Sequence, residues 1–363
     1  MGQFGIVVGQ LVGFFIMLMV GYACVRLRLY GQTALNGMCS LLLSVLIPLL
    51  VFSNAVDGTT RAQLIDNRGD IVLTIIMYAL LIAVFFLVAH VLRLRGNRSH
   101  IFQCSMIFGN AGFIGIPILL SLFGKEAALF VALMSFVDQT ILWTYGVWLC
   151  EPVRDGGATE TTSDGGAAAG AAEGGSAAER DTNAGVGGAN DARDAASSVR
   201  PSFGRRVLAL LRRFVNPAFI GNMTALALIL VGVRIPQIVL APLQKIGAMA
   251  TPMSLIYLGG LFALTRWWTV LKRYELYVGM LVKMVAFPLG FYALLNAIAG
   301  FLPMPITHDM ILMITLVSAL PTMTTIAMFT GRTNNMPEYG VGFVLVTTLC
   351  SLLTLTLVSA IIL

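Results

Sequence analysis

Charge is what this sequence has least of. Only 11% of its 363 residues are Asp, Glu, Lys or Arg, against 58% hydrophobic, and the mean hydropathy is +0.87. A soluble domain carries about a quarter charged residues, so the composition excludes one and points to a chain that crosses a membrane repeatedly. Metal ligands are equally sparse. The three histidines, His90, His100 and His308, form no H-E-x-x-H, which leaves an intramembrane zinc protease without ligands. The five cysteines, Cys24, Cys39, Cys104, Cys150 and Cys350, include no C-x-x-C pair and read as small packing residues. No nucleophile–histidine pair and no phosphate loop stands out, so no enzyme, cofactor or metal site is expected. The net charge of +6 does not indicate nucleic acid, because the basic residues sit singly or in pairs between apolar runs. No Lys or Arg precedes the first apolar run, so that run is expected to be a retained helix rather than a signal peptide.

Long apolar runs are what the sequence does have. A spanning helix needs about 20 mostly apolar residues. Ten runs qualify, at about 4–25, 35–56, 71–92, 101–123, 127–150, 214–233, 238–264, 274–298, 308–330 and 338–362. Between the fifth and sixth, Asp155 to Arg200 is Gly, Ala, Ser, Asp and Glu with almost no large apolar residue. Such a segment buries too little surface to offset ordering entropy, so 151–204 is expected to be a disordered linker between two five-helix parts, 1–150 and 205–363. The basic residues then mark one side: Arg26, Arg28, Arg93, Arg95, Arg98, Arg200, Arg205, Arg206, Arg212, Arg213, Arg266, Lys272, Arg273 and Arg332. With ten alternating spans that side is cytoplasmic, the linker lies with it, and both termini lie outside.

An odd number of spans per part turns the second part over relative to the first, the inverted-repeat plan of many secondary transporters. The second run has SVLIPLLVF with Pro48, and the seventh has AMATPMSLI with Pro252. The fourth run contains FGNAGFIGIPILL, Phe108 to Leu120, and the ninth contains ALPTMTTIAMFTG. Glycine, asparagine and proline break a helix, and a break frees backbone groups that lipid cannot satisfy. Each break must therefore face protein or a wet cavity, with the half-helix beyond it aiming free N–H groups at that cavity. Two such breaks crossing at mid-membrane would form an anion site without a buried cation. Asn110 reads as a side-chain donor there, or as the cap of the second half-helix. Thr322, Thr324 and Thr325 follow Pro321, and back-bonding to their own helix is the alternative role. Asp138 in SFVDQTILW and Lys283 in MLVKMVAFP are the ionisable groups deepest in apolar runs, placed to couple to a proton or sodium, to attract an anion, or to pair.

FGNAGFIGIP with the following SLFGKEAALF, then QTILW, then ALPTMTTIAMFTG and a Thr/Ser-rich last run, resemble the auxin efflux carrier family. Its members include plant auxin carriers and bacterial malonate and malate permeases. The resemblance implies an all-α membrane protein of ten helices in two inverted repeats. It implies a scaffold domain, a transport domain with crossed fourth and ninth helices, elevator-like movement, organic anions as substrates, and homodimers. Asn110 matches the asparagine that contacts the substrate carboxylate in plant members. Gln139 and Trp143 match a Gln/Trp pair of the fifth helix, and Pro321 the proline of the ninth-helix crossing. Gly109 stands where the plant members have proline, and Val51 where they have a pocket serine. The Asp/Lys pair of the plant third helix has no counterpart. These departures favour a bacterial-type carrier of small mono- or dicarboxylates, in the cytoplasmic membrane, with Gly109, Asn110, Gln139, Pro321, Thr322, Thr325 and Val51 around the substrate. A cation/proton antiporter-like carrier and a non-transporting carboxylate receptor are the alternatives.

Overall fold

The computed structural model describes residues 3–56, 60–153, 217–233, 235–301 and 306–362, so the expected linker at 151–204 lies almost wholly outside the described residues. Each of the ten apolar runs coincides with a helix or with two half-helices, and among the described residues there is no strand, only an isolated bridge. In chain order the helices are α1 (Gln3–Arg26), α2 (Gln32–Val56), the short α3 (Arg61–Asp66), α4 (Arg68–Val91), α5 (Gly96–Ile107), α6 (111–123), α7 (125–150), α8 (Pro217–Val231), α9 (Gln237–Leu264), α10 (Tyr274–Ile298), α11 (His308–Ser318), α12 (Thr324–Thr333) and α13 (Pro337–Ile362). Residues 1–153 and 213–363 form one compact unit. Five helical stretches within α2, α4, α7, α9 and α10 are long and apolar enough to cross a membrane, and α13 is a sixth if its two halves, bent by 49°, count as one.

Proline explains most of the irregularity inside the helices. Wide π turns occupy Leu42–Leu46, Ala111–Gly115, Leu142–Gly146 and Val282–Ala286. Three of them end two residues before a proline: Pro48, Pro117 and Pro288. A proline has no N–H for the carbonyl four residues back, and its ring would collide with that carbonyl. Widening the preceding turn moves the carbonyl aside. The residue just before the proline then bonds five back, as Ile47 N–H does to the Leu42 carbonyl and Phe287 N–H to that of Val282. At α8 the run is interrupted as its composition suggests: Pro217 opens the helix, where a missing N–H costs nothing.

Packing follows a reciprocal pattern. α1 lies along the second half of α9, and α8 lies along the second half of α2. α4 packs on α5 and α7, while α10 packs on α11 and α13. α11 also touches α4, and α5 touches the start of α10. The tightest approach is between α1 and α9. A Cβ on Gly21 would overlap the Ile256 carbonyl, and one on Gly259 would overlap that of Leu18. Small residues that let backbones meet are how membrane helices associate when apolar burial gives no drive.

One ion pair ties α5, α10 and α13 together near their first turns. The Arg98 guanidinium lies 2.7 Å from the fully buried Glu275 carboxylate, which also accepts from the Tyr339 hydroxyl at 3.1 Å. Removing Arg98 leaves an uncompensated buried charge, which typically costs about 3 kcal/mol or more. Arg98→Ala is expected to lower the thermal midpoint of the detergent-solubilised protein clearly. Glu275→Gln added to it should restore part of the loss, and a single variant melting like the wild type would remove this pair from the stabilising set.

Candidate functional site

The two broken helices meet. α5 ends at Ile107, Phe108 to Asn110 run extended, and α6 begins; α11 ends at Ser318, and α12 begins at Thr324. Gly109 and Thr322 face each other as an antiparallel bridge. Asn110 N–H donates to the Pro321 carbonyl at 2.8 Å, and Met323 N–H donates to the Phe108 carbonyl at 3.0 Å. These bonds satisfy backbone that lipid could not. Neither uses the N–H of residue 109 or 321. That resolves the substitution of Gly109 for a family proline: by hydrogen bonding, either residue fits. A Cβ on Gly109 would sit 3.2 Å from Leu320 Cβ, so bulk is the remaining constraint.

Side chains lock the crossing. The Asn110 amide donates to Thr324 Oγ1 at 3.1 Å, joining the first turns of α6 and α12. The Thr322 hydroxyl donates to the Ser105 carbonyl at 2.8 Å, and Thr322 N–H donates to Thr347 Oγ1 at 3.1 Å. Back-bonding is therefore not the role of Thr322; its hydroxyl reaches across to α5. Asn110, Thr322, Thr324 and Thr325 are all buried.

The deep charges approach the crossing from two sides. Asp138 on α7 accepts from the Tyr78 hydroxyl of α4 and from the Gln139 amide at 2.9 Å. The Tyr78 ring packs on Phe108, with centroids 5.8 Å apart. Lys283, in the π turn of α10, donates to the Ile107 carbonyl at 3.3 Å. Asp138 and Lys283 do not form an ion pair, so pairing with each other, one role open to them from sequence, is not adopted. Each is held within a residue or two of the same helix break.

The expected site residues fall into two groups. Val51, Gln139, Thr325 and Met323 line a cavity of about 50 Å³ between α2, α6, α7 and α12, with Gly112 and Ser135. This is room for a few waters. Asn110 and Thr324 instead line a cavity of about 240 Å³ bounded by apolar side chains of α1, α9 and α13. Asn110 and Gln139 thus do not face one space. Gln139 is also heavily committed, since it donates to Asp138 and accepts from Trp143 Nε1 at 2.9 Å. Tyr78 escaped the sequence reading. A tyrosine in an otherwise apolar run was its signal, because a buried hydroxyl needs a partner. Asp70 also differs from expectation: placed by sequence among loop charges, it is buried in the first turn of α4.

A helical bundle with apolar spans, two interrupted helices paired through their backbones, and a few buried charges held beside the break is the construction of an integral membrane transporter. The sequence profile described as membrane transport protein matches residues 6–359, and the chain belongs to that family, the auxin efflux carriers. It is a family of transporters, not of enzymes. No curated protein matches the sequence.

Proposed function

We propose that the protein is a secondary carrier of small organic anions, mono- or dicarboxylates such as malonate or malate, built of two inverted five-helix repeats, 1–150 and 205–363. The observation that carries this reading is the backbone-paired crossing. The first turns of α6 and α12 begin side by side there, and first-turn amides have no partner within their own helix. Asn110 and Thr324 add polar groups at the same point. The repeat is supported by the reciprocal packing, in which exchanging the two halves turns the α1–α9 contact into the α8–α2 contact. α1, α2, α8 and α9 would form the scaffold, and the remaining long helices would carry the crossing across the membrane, with both termini outside. The substrate sits against Asn110 and Thr322, with Val51, Gln139 and Thr325 completing the pocket once the small cavity opens. Asp138 couples the movement to a proton or sodium, and a homodimer joined through scaffold helices is the assembly.

A second reading, cation/proton exchange, is favoured by one observation: Asp138 and Lys283 both sit at the first helix break. The test is thermal stabilisation of the purified protein by malonate, malate and acetate, with and without sodium, at two pH values. A ligand that binds only the folded state must raise the melting temperature. A carboxylate-specific rise supports the carrier of anions. A rise with sodium alone, lost in Asp138→Asn, supports the second reading and removes the first.

A further inference from the structure

A third cavity, of about 560 Å³, lies away from the crossing. One wall is the start of α2 and the end of α9; the other is the end of α12 and Pro337 at the start of α13. Its lining is polar where the cavity beside Asn110 is apolar. Gln32, Asn36, Ser40 and Asn334 present amide and hydroxyl groups to it, and Gln32 bonds Asn36 at 3.0 Å, which leaves the Asn36 amide group free to donate into the space. Arg332 stands at its rim, exposed. Its charge acts on the Cys39 thiol of the opposite wall, which places the guanidinium toward the cavity rather than away from it. Arg332 has no carboxylate partner, since among the described residues the one ion pair is Arg98–Glu275.

The geometry points to an anion-binding antechamber: a site for a small carboxylate, held by the Arg332 guanidinium and neighbouring amide donors, outside the crossing. Arg332 and Thr324 lie eight residues apart on α12, about 12 Å at the rise of an α-helix. An anion at Arg332 is therefore one helix length from the crossing, on the face that the basic residues mark. A cation lining a cleft raises the local concentration of anions and their rate of entry. Arginine suits the task because its planar fork matches a carboxylate. Arg332 also complements the C-terminal end of the α12 dipole, but that role calls for no cavity and no ligand.

This inference rests on the anion-carrier reading only for its choice of probe. The full-length protein is treated with phenylglyoxal, which modifies guanidinium groups, and labelling of Arg332 is followed by peptide mass spectrometry. Malonate, malate and acetate are the test anions, and uncharged malonamide is the control. Malonate is expected to slow labelling of Arg332 several-fold in the wild type and in Asn110→Ala alike, while malonamide leaves it unchanged. In flux measurements from that face, Arg332→Gln should raise the half-saturating concentration about tenfold with the maximal rate preserved, and Arg332→Lys should recover most of the loss. Labelling that no carboxylate slows overturns the antechamber. If flux and an Asn110-dependent thermal shift are present in that case, the carrier reading stands without it. Protection of Arg332 with no flux upholds the antechamber and removes the carrier.

Discussion

Asn110→Ala is expected to lower carboxylate transport by ten- to several-hundred-fold while the protein stays folded. A hydrogen bond to a charged group is worth about 1.5–3 kcal/mol, which is that range as a rate or affinity. The structural cost is smaller. The Asn110 backbone bonds, its N–H to Pro321 and its carbonyl to Ile114 and Gly115, do not depend on the side chain. Only the amide bond to Thr324 is lost, for about 1 kcal/mol. Asn110→Asp sharpens the test, since it keeps the shape and places a negative charge where the substrate carboxylate belongs. It should abolish anion binding more completely than alanine. Uptake by the alanine variant with wild-type kinetics would take Asn110 out of the substrate site.

Gly259→Val should have the largest effect on stability of any single change to a glycine in α1 or α9. The added Cβ would meet the Leu18 carbonyl, which is backbone and cannot swing away. α1 and α9 must separate, and the reciprocal contact at Gly21 opens with them. Overpacking of a tight core costs about 1–3 kcal/mol, and forcing two helix backbones apart belongs at or above the top of that range. Gly13 on α1 is the control, because nothing lies within 4 Å of a Cβ placed there. Gly13→Ala should be neutral or slightly stabilising. The measurement is thermal midpoint by size-exclusion recovery in detergent. Equal midpoints for Gly259→Val and Gly13→Ala would mean that the α1–α9 contact is not a close one.

The breaks were legible because they are made of residues whose backbone preferences are strong. FGNAG and ALPT announce interruptions in runs otherwise fit to span, and the structure interrupts them at Phe108–Asn110 and Ala319–Met323. Pro48 was visible as an irregularity, but the form it took, a π turn two residues earlier, depends on how the helix relieves a local clash. Partners were not legible. Asp138 and Lys283 stood out as charges in apolar runs, yet which group each meets depends on the rotation of α4, α7 and α10 about their axes. A period of 3.6 residues fixes the faces of a helix and not which neighbour a face meets. The same limit hid the separation of Asn110 from Gln139, since both are pocket-lining but in different cavities. Arg98 was read as a marker of membrane side, and its bond to Glu275 belongs to three helices distant in sequence.

The bridge between residues 109 and 322 is closed by two peptide N–H groups, those of Asn110 and Met323. Every amino acid except proline brings such a group, so ordinary mutation cannot delete the joint. Over evolutionary time the lineage is then free to sample side chains around it, as Val51 in place of serine suggests, without risking the framework. Novel cargo preferences can arise by drift at the pocket walls while the joint itself is inherited almost by default. Selection need guard it at only a few points: against proline at 110 and 323, and against bulk at 109 and at Gly115, where a Cβ would press within 2.7 Å of Leu320.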